Sequence, residues 1–323
     1  MSLTNGLGEH TESRASADGR RIVTTLLTKH QSLSSVAVNS TPPAVQNLTD
    51  GYAGDLDPSV DRQSGRIVFS SSRTGNRNLW MAKADGSDPI PLTSGTAIDE
   101  RPSFSPNGQQ IAFMSDRDGK RGIWLMSAQG GAPKLLAHEI VLDTLAWSRD
   151  GQQIMFARPS GALPGLATLN VTTSKVEAMT LPTEGGYAPG LSPTEEVVAF
   201  LEPAMIPLPP PASSAGQARN RITFMDRHGA MLFSELPRQN TNFANGFLAW
   251  APDGKRVAVA SVSANAQSQI WIIEPRSPQP IRKLIDFPIA VRPRGLTWSK
   301  DGDRIIFGSQ EFNGDLVTYD VDR

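Results

Sequence analysis

The chain has 323 residues and no cysteine. That excludes disulfides, thiolate nucleophiles and Cys-ligated zinc, and it is neutral on compartment. Charge of one sign is also missing. Thirty-one Lys and Arg against 32 Asp and Glu leave a formal net charge of −1, so there is no electrostatic case for nucleic acid or an anionic membrane as partner. No apolar run approaches the roughly 20 residues of a membrane span, and no membrane insertion is expected. The N-terminus, MSLTNGLGEHTESRAS, lacks the basic and apolar regions of a signal peptide. Catalytic signatures are absent as well. There is no G-x-S-x-G nucleophile elbow, P-loop, dinucleotide fingerprint or H-E-x-x-H pair. No cofactor and no metal site is expected from the sequence.

What the chain does have is turn residues: 28 Gly and 25 Pro, spread at intervals as many short strands require. The best-formed stretch is 99–136. It reads as strand 102–105, a Ser105-Pro106-Asn107-Gly108 turn, strand 111–115, polar loop 116–121, strand 122–127, a Gln129-Gly130-Gly131 turn and strand 133–136. Proline presets φ in the first turn and Asn-Gly tolerates positive φ. Such a meander cannot bury both faces alone, yet its middle strands, such as Ile123-Trp124-Leu125-Met126, are apolar on both faces. Both faces must therefore be covered, as when copies stack.

Copies are present. Phe104 and Ile111, seven residues apart, recur as Val60/Ile67, Trp147/Ile154, Leu191/Val198, Trp250/Val257 and Trp298/Ile305. A degraded seventh copy is Ser16-Ala17-Asp18-Gly19 followed by Ile22, with strands expected at 22–27, 35–39 and 44–49. The second-strand markers run 22, 67, 111, 154, 198, 257, 305, so the intervals are 45, 44, 43, 44, 59 and 48. A period near 44 with four strands per unit is a β-propeller signature. The expected fold is all-β: a seven-bladed propeller of four-stranded antiparallel blades in a single domain, 1–323. Six blades is the alternative if the first copy is irregular. The last copy, with strands at 294–299, 304–309 and 314–321, lacks its outer strand, and residues 1–4 are expected to supply it. The long interval holds a Pro-rich insertion, 202–219, in the fifth blade of that count. The six Trp recur at first-strand ends and in third strands, and are read as core.

The copies resemble the TolB-type propeller repeat, also called WD40-like or PD40. Its pattern is approximately P-x-[FW]-S-P-D-G-x-x-I-A-F-x-S-x-R-x-G…I-[YW]-x-M…G-G. Pro102-Ser103-Phe104-Ser105-Pro106-Asn107-Gly108, Ile111-Ala112-Phe113, Ser115-Asp116-Arg117, Trp124-Leu125-Met126 and Gly130-Gly131 carry the match. The resemblance implies fold rather than function. Such repeats form the propeller of the TolB translocation protein, the propeller of prolyl-oligopeptidase-like enzymes, and sensor-like domains of bacterial kinases and regulators.

Topology sorts the loops into two faces. Blade-linking loops, and loops between second and third strands, share the variable face. Binding groups concentrate on variable loops held by a rigid scaffold. The candidates are the residues just before each first strand: Asp55, Asp57, Asp99, Glu100, Arg101, Asp143, Tyr187, Asn245, Arg292 and Arg294, with Glu9 in the first copy. Arg73 and Arg117 recur at second-strand ends and are read as structural donors. His10, His30 and His138 fall on the same face but belong to separate blades, which argues against a shared metal. No catalytic residue is assigned. The expected function is a non-catalytic protein- or peptide-binding or sensor module, monomeric, cut from a larger bacterial protein and extracytoplasmic rather than cytoplasmic. The alternatives are a channel-mouth hydrolase or lyase, and the accessory propeller of a prolyl-oligopeptidase-like enzyme.

Overall fold

The computed structural model describes residues 9–18, 20–183, 185–206, 217–226, 228–236, 241–243 and 247–320. Among them the strands form six antiparallel sheets. Blade one is Leu56–Val60, Ile67–Thr74, Asn76–Ala82 and Ile90–Pro91. Blade two is Asp99–Phe104, Gln110–Ser115, Gly122–Ser127 and Lys134–Ala137. Blade three is Ala146–Trp147, Gln153–Ser160, Leu163–Asn170 and Val176–Ala178. Blade four is Tyr187–Leu191, Val197–Ile206, Gln217–Asp226 and Met231–Glu235. Blade five is Leu248–Trp250, Val257–Ser263, Ser268–Ile273 and Ile281–Asp286, with Thr241–Asn242 extending its first edge. Each first strand touches the next, and that of blade six touches that of blade one, so the ring is closed around a channel.

Blade six corrects the expected count. Its first two strands are Val291–Trp298 and Arg304–Asp320, and its outer two are Arg21–Ala37 and Val45–Asn47. The seventh copy is therefore not a blade; it is the outer half of the last one. The physical reason lies in 28–34, Thr-Lys-His-Gln-Ser-Leu-Ser, which contains no Gly or Pro to turn the chain. The two strands expected there are one strand of 17 residues, paired along its whole length with Arg304–Asp320. Asn313-Gly314 reads as a turn but runs straight, because Leu27 and Thr28 sit opposite and the ladder overrides the local preference. The SxDG turn itself is as expected. Ser16 Oγ meets Asp18 Oδ1 at 2.6 Å and accepts the Arg21 N–H at 2.9 Å, with Glu9–Ala15 pairing back on the long strand. The closing strand expected at residues 1–4 lies outside the described residues.

The 202–219 insertion also differs in part from expectation. Its flanks are not loop: Glu202 to Ile206 pair with Arg221 back to Gln217, so the second hairpin of blade four is lengthened, and Pro203 sits within that ladder. Residues 207–216 lie outside the described residues.

Six apolar clusters hold the ring, one at each blade-to-blade interface. Between blades one and two, Phe113, Ile111, Leu79 and Val68 are fully buried. Burial on both faces of the middle strands is what their unbroken apolar runs demand. The first-strand tryptophans add a polar tie. The indole N–H groups of Trp147, Trp250 and Trp298 donate to the carbonyls of Ser103, Gly190 and Ala249 on the preceding blade, at 3.0, 2.9 and 2.9 Å. The short turns on the far face interlock. Gly108 has φ +67° and lies against the carboxylate of Asp61 in blade one, with no room for a Cβ.

Candidate functional site

First strands carry the site, and they start earlier than expected: the one in blade two begins at Asp99, not residue 102. Two sorts of carboxylate stand there. Asp55 and Asp99 are fully buried. Asp99 accepts Arg117 Nη2 on both oxygens, at 2.8 and 2.9 Å, and Arg117 Nε donates to Ser115 Oγ at 3.0 Å. The guanidinium lies 5.1 Å from the Phe113 ring centre and 5.2 Å from that of Trp124. Blade one repeats this with Asp55, Arg73 and Ser71, at 3.0 Å for each bond, and with Arg73 4.6 Å from the Trp80 ring. These clasps consume both carboxylates within the blade, and neither Asp55 nor Asp99 lines the channel. Blade five has no such Arg; there Trp271 donates its indole N–H to Ser261 Oγ at 2.9 Å.

The channel mouth is made two residues further on. Pairing of first and second strands slips at the same place in four blades: between Leu56 and Ser59, Glu100 and Ser103, Tyr187 and Gly190, Arg294 and Leu296. The bulge residues Asp57, Arg101, Ala188 and Gly295 have φ of +53°, +56°, +49° and +62°. A bulge re-aims side chains, and positive φ at non-glycine residues is strain held by the surrounding ladder.

Two cavities meet here. The channel cavity, about 430 Å³, is lined by the first strands of all six blades. The mouth cavity, about 470 Å³, lies above it. Asp57, Arg101, Asp143 and Phe247 line both and form the neck between them. Around the mouth, blades six, one, two and three present Arg294, Asp57, Arg101 and Asp143 in alternating charge, while blades four and five present Tyr187 and Phe247. Lys29, Arg77 and Glu100 complete the polar wall.

The charges are tied unequally. Asp143 accepts the N–H of Thr144 at 2.7 Å and that of Ala188 in the next blade. Burial raises its pKa to about 6, against the pull of those two donors and of Arg101. Asp57 accepts Ser70 Oγ at 3.1 Å. Burial pushes its carboxyl above the ordinary range, opposed first by the Arg101 charge. Glu100 pairs with Arg121 at 2.6 Å and stands 3.9 Å from Arg77. Arg101 donates to the Val141 carbonyl at 2.9 Å, and Arg294 donates through Nε to Gln310 at 3.2 Å. Tyr187 donates its hydroxyl to the Phe243 carbonyl at 3.2 Å, and burial, with Asp143 nearby, raises its pKa.

The structure thus brings Asp57, Glu100, Arg101, Asp143, Tyr187 and Arg294 together at one mouth. Arg292 is exposed and stacks on Phe312, outside it. Asn245 lies outside the described residues. Glu9 starts an added edge strand of blade six rather than the ring. His138 pairs with Asp118 at 3.2 Å and His30 packs edge-on to Tyr52. Among the described residues no three His, Asp or Glu groups converge as a metal site would require. Phe247 was missed by the sequence reading, although it stands three residues before Trp250 as Arg101 stands three before Phe104. Lys29 and Arg77 were missed too; both stand on third strands, Lys29 midway along the 17-residue strand of blade six and Arg77 at the start of the one in blade one.

A closed ring of antiparallel four-stranded blades around a channel is a β-propeller. The chain belongs to the TolB β-propeller domain family: the family model, PD40, matches residues 14–227. No curated protein sequence matches it. Among solved structures, it is similar to a protein assigned as TolB from Agrobacterium tumefaciens. That match has 16% identity and a TM-score of 0.67, and covers 88% of this chain and 99% of the other. TolB from Acinetobacter baumannii matches at 15% identity and TM-score 0.58, over 89% of this chain and 65% of that one. An oligogalacturonate lyase from Vibrio parahaemolyticus matches at 13% and 0.51, over 92% and 78%. At such identities the likeness is one of fold.

Proposed function

We propose that this propeller is a non-catalytic binding module whose channel mouth engages a protein or peptide partner. One observation carries the reading: the mouth is a two-sided ring, alternating charges on four blades and aromatic rings on two, with strained bulges at equivalent positions in four of the six blades. Strain of this kind persists where a surface must be held ready for a ligand. Convergent polar groups beside aromatic area in a preformed cavity are what recognition sites use.

A random peptide library displayed on phage tests this. Peptides are expected to be enriched on the wild-type protein, lost on Arg294→Glu at the mouth, and retained on Lys255→Glu, an exposed position in a far-face turn. No enrichment, or enrichment indifferent to Arg294→Glu, refutes it.

A second reading, a hydrolase or lyase at the mouth, is supported by Asp57 and Asp143. Both carboxyls are raised by burial and both lie beside Arg101. Perturbed acids in a cleft are candidates for proton transfer. Against it, Asp143 spends both oxygens on main-chain N–H groups. Turnover of any oligosaccharide or ester panel that vanishes in Asp57→Asn would establish it in place of the binding role.

A further inference from the structure

We propose that the mouth recognises a peptide carboxylate adjacent to a bulky apolar side chain, the carboxylate held by Arg294 and Arg101 and the apolar group by Tyr187 and Phe247. This rests on the binding reading above and gives its ligand chemistry.

Among the described residues the acids of the mouth are answered within the fold: Glu100 by Arg121, Asp143 by two main-chain N–H groups, Asp57 by Ser70. The arginines are not used up. Arg294 is exposed and commits only Nε, to Gln310, leaving both Nη groups; Arg101 commits one Nη, to a carbonyl. A guanidinium offers a planar fork of donors, and its natural complement is a carboxylate bound through two oxygens. Arg294 and Arg101 flank Asp57: the Cα of Asp57 packs against Gly295, the residue after Arg294. Asp57 stands between the two cations with its carboxyl accepting Ser70 Oγ, and burial raises its pKa.

Across the mouth the chemistry changes. Tyr187 has its hydroxyl tied to the Phe243 carbonyl, so its ring offers an apolar surface to the cavity. Phe247, Leu142 and Pro164 continue that wall. A ligand that fills both sides needs a negative charge and an apolar group a few ångströms apart. An acidic residue beside a large apolar one supplies this, as does an apolar C-terminal residue. The cavity of about 470 Å³ is of the size such a pair requires.

The test uses the full chain and saturation-transfer NMR with three probes: N-acetyl-L-phenylalaninate, its amide, and galacturonate. The acid is expected to bind, and the amide about tenfold more weakly or not at all, the loss of one charge-assisted hydrogen bond. Arg294→Gln and Arg101→Gln should each abolish the preference for acid over amide, while Lys255→Glu leaves it intact. Circular dichroism melts check folding; should Arg101→Gln unfold, the exposed Arg294→Gln carries the test. Equal binding of acid and amide overturns the proposal, as does a preference that survives Arg294→Gln. Galacturonate binding without N-acetyl-phenylalaninate binding overturns the peptide assignment. The outcome is separable from that of the phage experiment. Mouth-dependent peptides with no acidic residue would sink the carboxylate while sparing the binding role. Acid-selective probe binding with an empty library would do the reverse.

Discussion

Asp143 of blade three accepts the backbone N–H of Ala188, the bulge residue of blade four at φ +49°. One carboxyl thus joins two blades and pins a strained residue at the channel mouth. Its burial raises its pKa to about 6, against roughly 3.9 in an unfolded chain. The folded state therefore holds the proton more tightly. Stability conferred by the protonated form is fully present below about pH 4 and declines as pH rises to about 6, where it levels off. The shift corresponds to about 3 kcal/mol. Asp143→Asn removes this titration. Urea unfolding at pH 4 and pH 7 should show the stability of wild type relative to Asp143→Asn falling by an amount of that order. A constant difference between the two proteins contradicts the assignment.

The Asp99–Arg117 clasp makes a separate prediction. Removing one partner leaves the other charge in a mostly buried site, with Asp99 fully buried and Arg117 21% exposed. Arg117→Ala should cost about 3 kcal/mol, because it strands the fully buried Asp99, and Asp99→Ala somewhat less, since the Arg117 charge it leaves behind reaches solvent. The double variant should cost much less than the sum, because neither charge is then stranded. A denaturant-unfolding double-mutant cycle reads the coupling directly, and additive losses would show that the clasp contributes nothing beyond packing.

The tryptophans divide into two groups with different expected costs. Trp298 gives its N–H to the Ala249 carbonyl at 2.9 Å, whereas the buried N–H of Trp124 has no hydrogen-bond partner among the described residues. Replacement by Phe loses ring area in both. At Trp298 it also strands a carbonyl, adding about 1 kcal/mol. At Trp124 it removes an unsatisfied donor and regains part of the loss. Thermal melts should rank Trp298→Phe as the more destabilising change; the opposite order would mean that the inter-blade bond is not maintained in solution.

The repeat was legible because its markers are dictated by packing. Phe104, Trp147, Trp250 and Trp298 must each fill the same inter-blade site, and the SxDG turns must supply the same φ values. The blade count was misread where the decisive information was an absence. The lack of Gly and Pro in 28–34 permits the strand to continue past its expected end, and pairing with Arg304–Asp320, almost the length of the chain away, makes it do so. The mouth was half legible. Topology put Asp57, Arg101, Asp143, Tyr187 and Arg294 on the right face, but it could not separate them from Asp55 and Asp99, two residues earlier. That distinction depends on a bulge, which turns Asp57 and Arg101 to the channel and leaves Asp55 and Asp99 each under an arginine.

The assembly of blade six from both ends of the chain has a consequence for synthesis. Thr28 lies 285 residues before Asn313, its opposite number. At about 5–20 residues per second, the strand Arg21–Ala37 emerges from the ribosome on the order of 15–60 s before its partner exists. Throughout that interval five blades can stack, but the ring cannot shut, and a 17-residue strand edge waits unpaired. The nascent chain is thus an open crescent, and its last step is a long-range zippering that carries the whole loop-closure entropy of the ring.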